Sequence, residues 1–305
     1  MHAFLEAEMG DKPALQPRAA IGPAVRAIAA SILENARTTL TDPERAVEDR
    51  IHDFRRAIKQ WRALMRLLEP FIPDAVRLRQ EARDHARSLA RARDGQSALN
   101  AFDDLLKKGM VLSERSQATI RGRIEAIRGS EEQAVLTPEL RDAILAWLDA
   151  TAAGIEQWPL DPFDFSKIAG RLAAGYRAAR QLIPADWSQA SAEELHHLRQ
   201  RVVDHRYQME LVEPLWPRHG RMWTDEAERL RDRLGRCQDL EILKRLTEPH
   251  QPLAHWRSKL TPAVAERTTE LAHRAARIAL RLFAEKPKAF RHRLEALWEH
   301  GRNGH

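Results

Sequence analysis

A row of cationic side chains recurs at helical spacing between residues 52 and 66. The row consists of His52, Arg55, Lys59, Arg62 and Arg66, and Asp53 is the only acid within this stretch. On an α-helix these residues would share one face, where like charges repel by about 0.2–0.5 kcal/mol per pair. Arg presents a planar fork to phosphate or carboxylate oxygens, so the row suits a polyanion. A face screened by water is the alternative interpretation.

The segment after this row extends the basic surface. It contains only two acids, Glu81 and Asp84, among the arginines Arg77, Arg79, Arg83, Arg87, Arg91 and Arg93. The whole chain holds 41 Arg and 9 Lys, with a formal net charge of +6. A GC-rich genome would also raise the Arg content, but the balance favours anionic partners in general.

An apolar stripe runs one residue ahead of the cation row and predicts how a helix would position it. The stripe consists of Ile51, Phe54, Ile58, Trp61, Met65 and Leu68. This spacing is typical of a helix face buried in a bundle, which places the cations beside the core. Similar periods recur throughout, and the 305 residues include only 13 Gly, so the predicted fold is all-α.

Short sequence signals predict where two helices start and where one break between helices lies. Thr41-Asp42-Pro43-Glu44 offers a cap residue followed by Pro at the first helical position, which predicts a helix from Pro43. Ser191 and Glu194 form the pattern of a capping box. Helices are also predicted over Thr224–Arg236 and Asp239–Leu246, with a break between them.

The sequence contains an internal repeat. With a shift of 144 residues, RIHDFRRAIKQWRALMRLLEPFIP aligns with ELHHLRQRVVDHRYQMELVEPLWP, and polar and apolar positions agree together. With one further residue of offset, LARARD (89–94) aligns with LGRCQD (234–239). The prolines near Gln157 mark the boundary. We therefore predict an N-terminal extension over 1–20, a first helical bundle over 21–156 and a second over 163–300.

The second copy carries a thinner row of cations. His196, Arg199 and Arg206 align with His52, Arg55 and Arg62, Arg201 lies nearby, and Val203 stands in place of Lys59. A histidine here could donate to phosphate when charged or cap a helix when neutral. A buried structural histidine bonded to a backbone carbonyl is the alternative for His52 and His196.

The sequence gives weaker support for metal, nucleophilic, nucleotide and nucleic-acid sites. Glu193, Glu194, His196 and His197 contain the ExxH spacing of helical metal sites, although neighbouring arginines disfavour a cation. The single Cys237 is expected to be a small core residue, and it excludes an internal disulfide. No Walker, Rossmann or HExxH motif occurs, and a nucleic-acid binder would normally show stacking aromatics. The absence of a signal peptide or apolar span favours the cytoplasm.

These residues resemble the CHAD family, the conserved histidine α-helical domain, over roughly residues 20 to 300. The paired H-x-x-R helices, the Glu-Pro stops, Arg93-Asp94 and LGRCQDLEIL carry the resemblance. It implies two tandem antiparallel four-helix bundles with pseudo-two-fold symmetry and a basic central cleft. It further implies binding of inorganic polyphosphate and association with polyphosphate granules. The binding residues implied by position, together with Arg66 from the cation row, are His52, Arg55, Arg56, Lys59, Arg62, Arg66, Arg83, Arg87, Arg93, His196, Arg199, Arg201 and Arg206.

Three residues depart from the family pattern, which reduces either the predicted basic charge of the second half or the match between the two repeats. Val203 and Glu228 stand where the family usually has cations, and Ala90 replaces a glycine. Many CHAD domains follow a CYTH triphosphatase domain, whose ExExK motif is incomplete at Glu6-Ala-Glu8, so a stand-alone CHAD protein is expected. The expected function is non-catalytic polyphosphate binding, without cofactor, metal or membrane, in the cytoplasm and on granules with granule-associated proteins as partners. The alternatives are a metal-dependent phosphohydrolase using Glu193, His196 and His197, and a generic nucleic-acid binder.

Overall fold

The fold is helical throughout the part of the chain that can be described. The computed structural model describes residues 14–89, 94–132, 136–161 and 163–303, and within these it has eleven α-helices, three short 3₁₀ turns and no strand. The all-α prediction is therefore confirmed. The helices are α1 Ile21–Thr41, α2 Val47–Leu68, α3 Ala75–Ser88, α4 Asp94–Lys107, α5 Glu114–Glu132, α6 Pro138–Gly154, α7 Phe165–Gln181, α8 Ala192–Glu210, α9 Pro217–Arg245, α10 Arg257–Leu282 and α11 Pro287–Asn303.

Helix α2 buries its apolar stripe as predicted. Phe54, Ile58, Trp61, Met65 and Leu68 are all at most 1% exposed, and Ile51 at the first turn is half-buried. Because the stripe is fixed against α1, α3, α7 and α8, the cation row beside it has a defined direction.

The two predicted helix starts have different outcomes. The capping box is confirmed, because the Ser191 hydroxyl accepts from the Glu194 amide while the Glu194 carboxylate accepts from the Ser191 amide. The predicted start at Pro43 is wrong, since α2 begins at Val47. Asp42 instead accepts from the Glu44 amide and pairs with Arg45, which closes a turn before the helix.

Helix α9 runs without interruption where two helices were predicted. It spans 29 residues, from Pro217 to Arg245, so the predicted break near Gln238 is wrong. No proline interrupts this stretch, and α9 packs on α8, α10 and α4, burying Leu230, Leu234, Leu240 and Leu243. Tertiary packing therefore outweighs the modest helix cost of Gly235.

Helices from the two predicted units contact each other directly. Helix α2 contacts α7 and α8, while α4 contacts α9 and α10. Upstream of α1, Leu15 is buried and its amide donates to the Leu211 carbonyl at 2.9 Å. The division into two bundles stays a prediction. Within the described ranges, no helix is both long and apolar enough to cross a membrane.

Candidate functional site

The cation row of α2 is half-buried except at its first member, and Arg56 lies outside the row. His52 and Arg56 are exposed, whereas Arg55, Lys59, Arg62 and Arg66 are half-buried. Half-buried members of the row face neighbouring helices, since Arg55 donates to the Ala86 carbonyl of α3 and Arg66 pairs with Asp204 of α8.

Helix α3 supplies further arginines to the same face. The Arg55 guanidinium donates to the Ala86 carbonyl of α3 at 3.3 Å, which fixes the two helices beside each other at this point. Arg83 and Arg87 lie on either side of Ala86 in sequence and are exposed. Arg79 pairs with Glu69 at the end of α2, with 2.6 Å between Nη1 and Oε2.

Helix α8 places a single carboxylate among these cations. Asp204 is 14% exposed, and its Oδ2 lies 2.7 Å from Nε of Arg66 and 3.9 Å from Nη1 of Arg201. Its charge also acts on Arg62 and Arg79. We define the arginine cluster as the six side chains that gather around Asp204 and the end of α2: Arg62, Arg66, Arg79, Arg83, Arg87 and Arg201.

Burial and mutual repulsion disfavour the charged forms of side chains in the arginine cluster. Burial lowers the pKa of Arg62 from its ordinary value, the Asp204 carboxylate opposes this, and Arg83, Arg79 and Arg87 lower the pKa further. Burial likewise lowers the pKa of Arg66. Burial raises the pKa of Asp204 despite the surrounding arginines. Among the described residues, only the carboxylates of Asp204 and Glu69 pair with members of this six-cation cluster, so the cluster would favour an additional anion.

Arg62 is the half-buried member of the arginine cluster that forms no ion pair with a described acid. Its Nε is buried and has no hydrogen-bond partner among the described residues. No described acid forms an ion pair with Arg62, Arg83 or Arg87 either. A buried donor without a partner is costly, and a phosphate oxygen would satisfy it.

The counterpart of this region in the second half is neutralised. Arg206, which aligns with Arg62, pairs with Glu210 at 3.1 Å and with Glu228 at 2.8 Å. Glu228 also pairs with Arg231 at 2.6 Å. With the offset of 145 that aligns LARARD with LGRCQD, Glu228 takes the place of Arg83. The aligned positions thus form an ion-pair network in one half and a cationic surface in the other.

His196 and Arg199 lie beside α9 and away from the arginine cluster. His196 lines a separate cavity of about 620 Å³ between α8, α9 and α10, and its Nε2 lies 2.6 Å from the Gln200 amide. The Arg199 guanidinium packs 3.3 Å from where a Cβ of Gly235 would lie, and it donates to Gln238 at 3.5 Å. The structure therefore does not bring all predicted residues to one point.

Arg56 also lies apart from the arginine cluster. Arg56 lines a smaller cavity of about 320 Å³ with Asp42 and Asp53 at the α1–α2 side. Arg93 and Ala90 lie outside the described residues. Of the thirteen predicted positions, five are in the arginine cluster: Arg62, Arg66, Arg83, Arg87 and Arg201.

The predicted metal alternative lacks a ligand set among the residues that can be described. No three His, Cys, Asp or Glu side chains come together there in a way that could hold a metal ion. His197 and Glu193 are 4.0 Å apart and both are exposed. As predicted, Cys237 is buried, and burial raises the pKa of its thiol to about 12, which makes it a poor nucleophile.

A buried structural histidine does exist, at a position the sequence did not single out. His205 accepts from the indole N–H of Trp223 at 2.8 Å and is surrounded by Tyr176, Phe283 and Phe290. Burial lowers the pKa of His205 to about 3, so it stays neutral. His52 is exposed and His196 is half-buried, so neither matches this interpretation.

Sequence reasoning missed Asp204 and Arg79 as members of the site. Asp204 aligns with Gln60, so the repeat gave no reason to select it. Its signal is a lone acid inside the apolar and basic stretch RVVDHR, where burial would demand a cationic partner. Arg79 belonged to the basic segment after α2, but only the contact between α2 and α3 places it in the cluster.

Comparison with known proteins identifies one family. A family model described as the CHAD domain matches residues 23–248. The solved structures that match include the crystal structure of the CHAD domain from the plant Ricinus communis. It is 19% identical, covers 94% of this chain and 95% of that chain, and gives a TM-score of 0.48. No curated protein matches.

Proposed function

The chain belongs to the CHAD domain family, and we propose that it binds inorganic polyphosphate through the arginine cluster without catalysing a reaction. The observation that carries this proposal is the excess of cations around the end of α2, with Arg62 half-buried and not ion-paired within the described residues. A linear chain of phosphates supplies repeated anionic oxygens at the spacing that adjacent guanidinium groups can share.

The type of side chain at the site supports polyphosphate over nucleic acid. Phe54 and Trp61, the aromatic residues of α2, are buried in the core and cannot stack on bases. Proteins that bind single-stranded nucleic acid combine a basic groove with such stacking platforms. Polyphosphate has no bases, so guanidinium groups alone meet its needs.

The proposed architecture of the site is a basic cleft between two related bundles. The repeat of α1, α2 and α3 in α7, α8 and the first part of α9 supports tandem duplication, and the contact of α2 with α8 would place the two repeated helices at the pseudo-two-fold axis. In this proposal the first half supplies most of the cations, because Glu228 neutralises Arg206 in the second. The cellular role would be recruitment to polyphosphate granules.

Binding of long-chain polyphosphate at two salt concentrations tests the proposal. We expect a tight complex by fluorescence anisotropy at about 50 mM salt, weakened at least about tenfold at about 200 mM as counterions return to the ligand. Duplex DNA and RNA serve as competitors. If they displace polyphosphate at equal phosphate concentration, the charge is generic and the proposal fails.

A matched pair of double variants locates the binding surface. Arg62→Ala with Arg83→Ala should weaken binding at least about tenfold, since each removes a charge-assisted contact. Arg115→Ala with Arg277→Ala is the control, because both side chains are exposed and neither is among the main charges acting on Arg62 or Asp204. Equal losses in both double variants would contradict the assignment.

A further inference from the structure

Asp204 interacts with guanidinium groups that the proposed function assigns to the ligand. Its carboxylate is ion-paired with Arg66 and lies near Arg201, and its charge reaches Arg62 and Arg79. In the protein without ligand, this carboxylate partly neutralises the positive charge of the half-buried arginines at the end of α2. A bound phosphate chain would have to share these guanidinium groups with it or take them over.

We propose that Asp204 is an internal anion that competes with the ligand, and that it takes up a proton from solvent when polyphosphate binds. This inference rests on the proposed function and adds its regulation: binding is strengthened by acid and restrained at higher pH. The proton adds to one carboxylate oxygen of Asp204, so the side chain no longer competes as a charge for Arg66 and Arg201.

The physical basis is the change in charge around one carboxylate. The groups that face Asp204 without ligand are cations: Arg62 and Arg66 from α2, Arg79 from α3 and Arg201 from α8 itself. Arg171 of α7 adds a further positive charge nearby, since it donates to the Arg66 carbonyl at 3.3 Å. Glu228 and Arg231 of α9 face Arg206, which points about 200° around α8 from Asp204.

Phosphate oxygens at these guanidinium groups would place additional negative charge close to the Asp204 carboxylate. Attraction by the arginines is then shared with the ligand, and the ligand's own charge repels the carboxylate, so the protonated form gains in the complex. Burial already favours that form, because it raises the pKa of Asp204 in the protein alone. The aligned residue Gln60 has no charge, so this device exists in one copy of the repeat only.

The direction in which polyphosphate affinity changes with pH follows from the change in the pKa of Asp204 on binding. The pKa of Asp204 is higher in the complex than in the free protein, so the affinity gain is complete at pH values below the free-protein pKa. The gain is lost as pH rises through the pKa of the complex, with a limit of about tenfold per pH unit for one linked proton. Long-chain polyphosphate is the suitable probe, because its interior phosphates do not titrate in this range.

The test compares polyphosphate affinity at about pH 5.5 and about pH 7.5 in three forms of the full chain. We expect Asp204→Asn to bind about five- to tenfold more tightly than wild type at the higher pH, with a smaller dependence on pH. Asp149→Asn is the matched control, because it makes the same change in net charge at an exposed ion pair with Arg37. It should leave the pH dependence as in wild type.

Calorimetry keeps the proposal testable even if Asp204→Asn fails to fold. Titrations in buffers of different ionisation enthalpy report the protons taken up on binding, and the triple variant His52→Gln, His85→Gln and His196→Gln removes the imidazoles beside the rows of arginines. Uptake that persists in the triple variant supports Asp204 as the proton acceptor. Uptake that disappears there, or a folded Asp204→Asn with the pH dependence of wild type, overturns it. Absence of polyphosphate binding at either pH would instead refute the proposed function.

Discussion

At the scale of single residues, the carboxylates of Asp204 and Glu228 each pair with two arginines around the repeated helix α8. Asp204 sits inside the arginine cluster, and Glu228 holds Arg206 and Arg231 in the other half. Both acids lie on helices whose neighbouring residues are basic, and each acts on more than one guanidinium group. The arrangement of acids, rather than the number of arginines, therefore sets how the positive charge is distributed between the two halves.

Glu228→Gln tests whether the second half is held back by its own ion pairs. Removing this charge frees part of Arg206 and Arg231, so we expect polyphosphate affinity to rise about three- to tenfold. The free energy of unfolding should fall by about 1 kcal/mol, because the partly buried Arg206 keeps only Glu210. Anisotropy titration and urea denaturation measure the two effects.

The control for this substitution is Glu299→Gln, which makes the same charge change at an exposed pair with Arg302 on α11. It should alter affinity less than Glu228→Gln at equal ionic strength. If Glu228→Gln leaves affinity unchanged while Asp204→Asn raises it, binding is confined to the first half.

At the scale of helices, small residues set how closely neighbouring elements approach. Helix α4 packs on α5 at Gly95, where an added Cβ would lie 2.8 Å from backbone atoms of Arg128. Helix α5 also contains Gly122, where an added Cβ would meet nothing within 4 Å. The two glycines are chemically identical, but only Gly95 is required by packing.

Gly95→Ala should destabilise the protein, whereas Gly122→Ala should stabilise it. The first forces α4 and α5 apart, at a cost of about 1–3 kcal/mol that exceeds the gain in helix propensity. The second gains up to about 1 kcal/mol of propensity without a steric cost. Urea denaturation midpoints of the two variants measure both effects. A stabilised Gly95→Ala would show that the α4–α5 contact is looser than described.

At the scale of the whole molecule, buried ion pairs connect helices that are distant in sequence. Arg267 of α10 is only 4% exposed, and its Nε donates to Asp104 of α4 at 2.6 Å. Arg236 of α9 lies 3.8 Å from the same carboxylate, so three helices meet at Asp104. This junction joins α4 of the first predicted unit to α9 and α10 of the second.

Arg267→Met should lower the free energy of unfolding by about 3–5 kcal/mol, because it leaves Asp104 without its closest cation in a mostly buried setting. Thermal and urea unfolding measure the loss. Arg302→Ala, which breaks an exposed pair with Glu299, is the control and should cost less than about 1 kcal/mol. A loss as small as that of the control would mean that the α4–α10 junction is not needed to hold the molecule together.

Local patterns in the sequence determined the helices, their buried faces and the cation row. Periodicity alone placed Phe54, Trp61 and Met65 in the core and Arg62 and Arg66 beside it, because both sets depend only on the geometry of one helix. The family was also readable from the paired H-x-x-R helices and the Glu-Pro stops, and the family model matches.

Tertiary structure alone decided which arginines are paired with an acid from another helix. Asp204 enters the cluster because α8 packs on α2, and Arg206 is neutralised because α9 brings Glu228 to α8. The continuous α9 and the turn at Asp42 were likewise settled by packing and by side-chain bonds outside the local pattern. Ion pairs depend on distances of a few ångströms between separate helices, and helical periodicity fixes directions within a helix but not those distances.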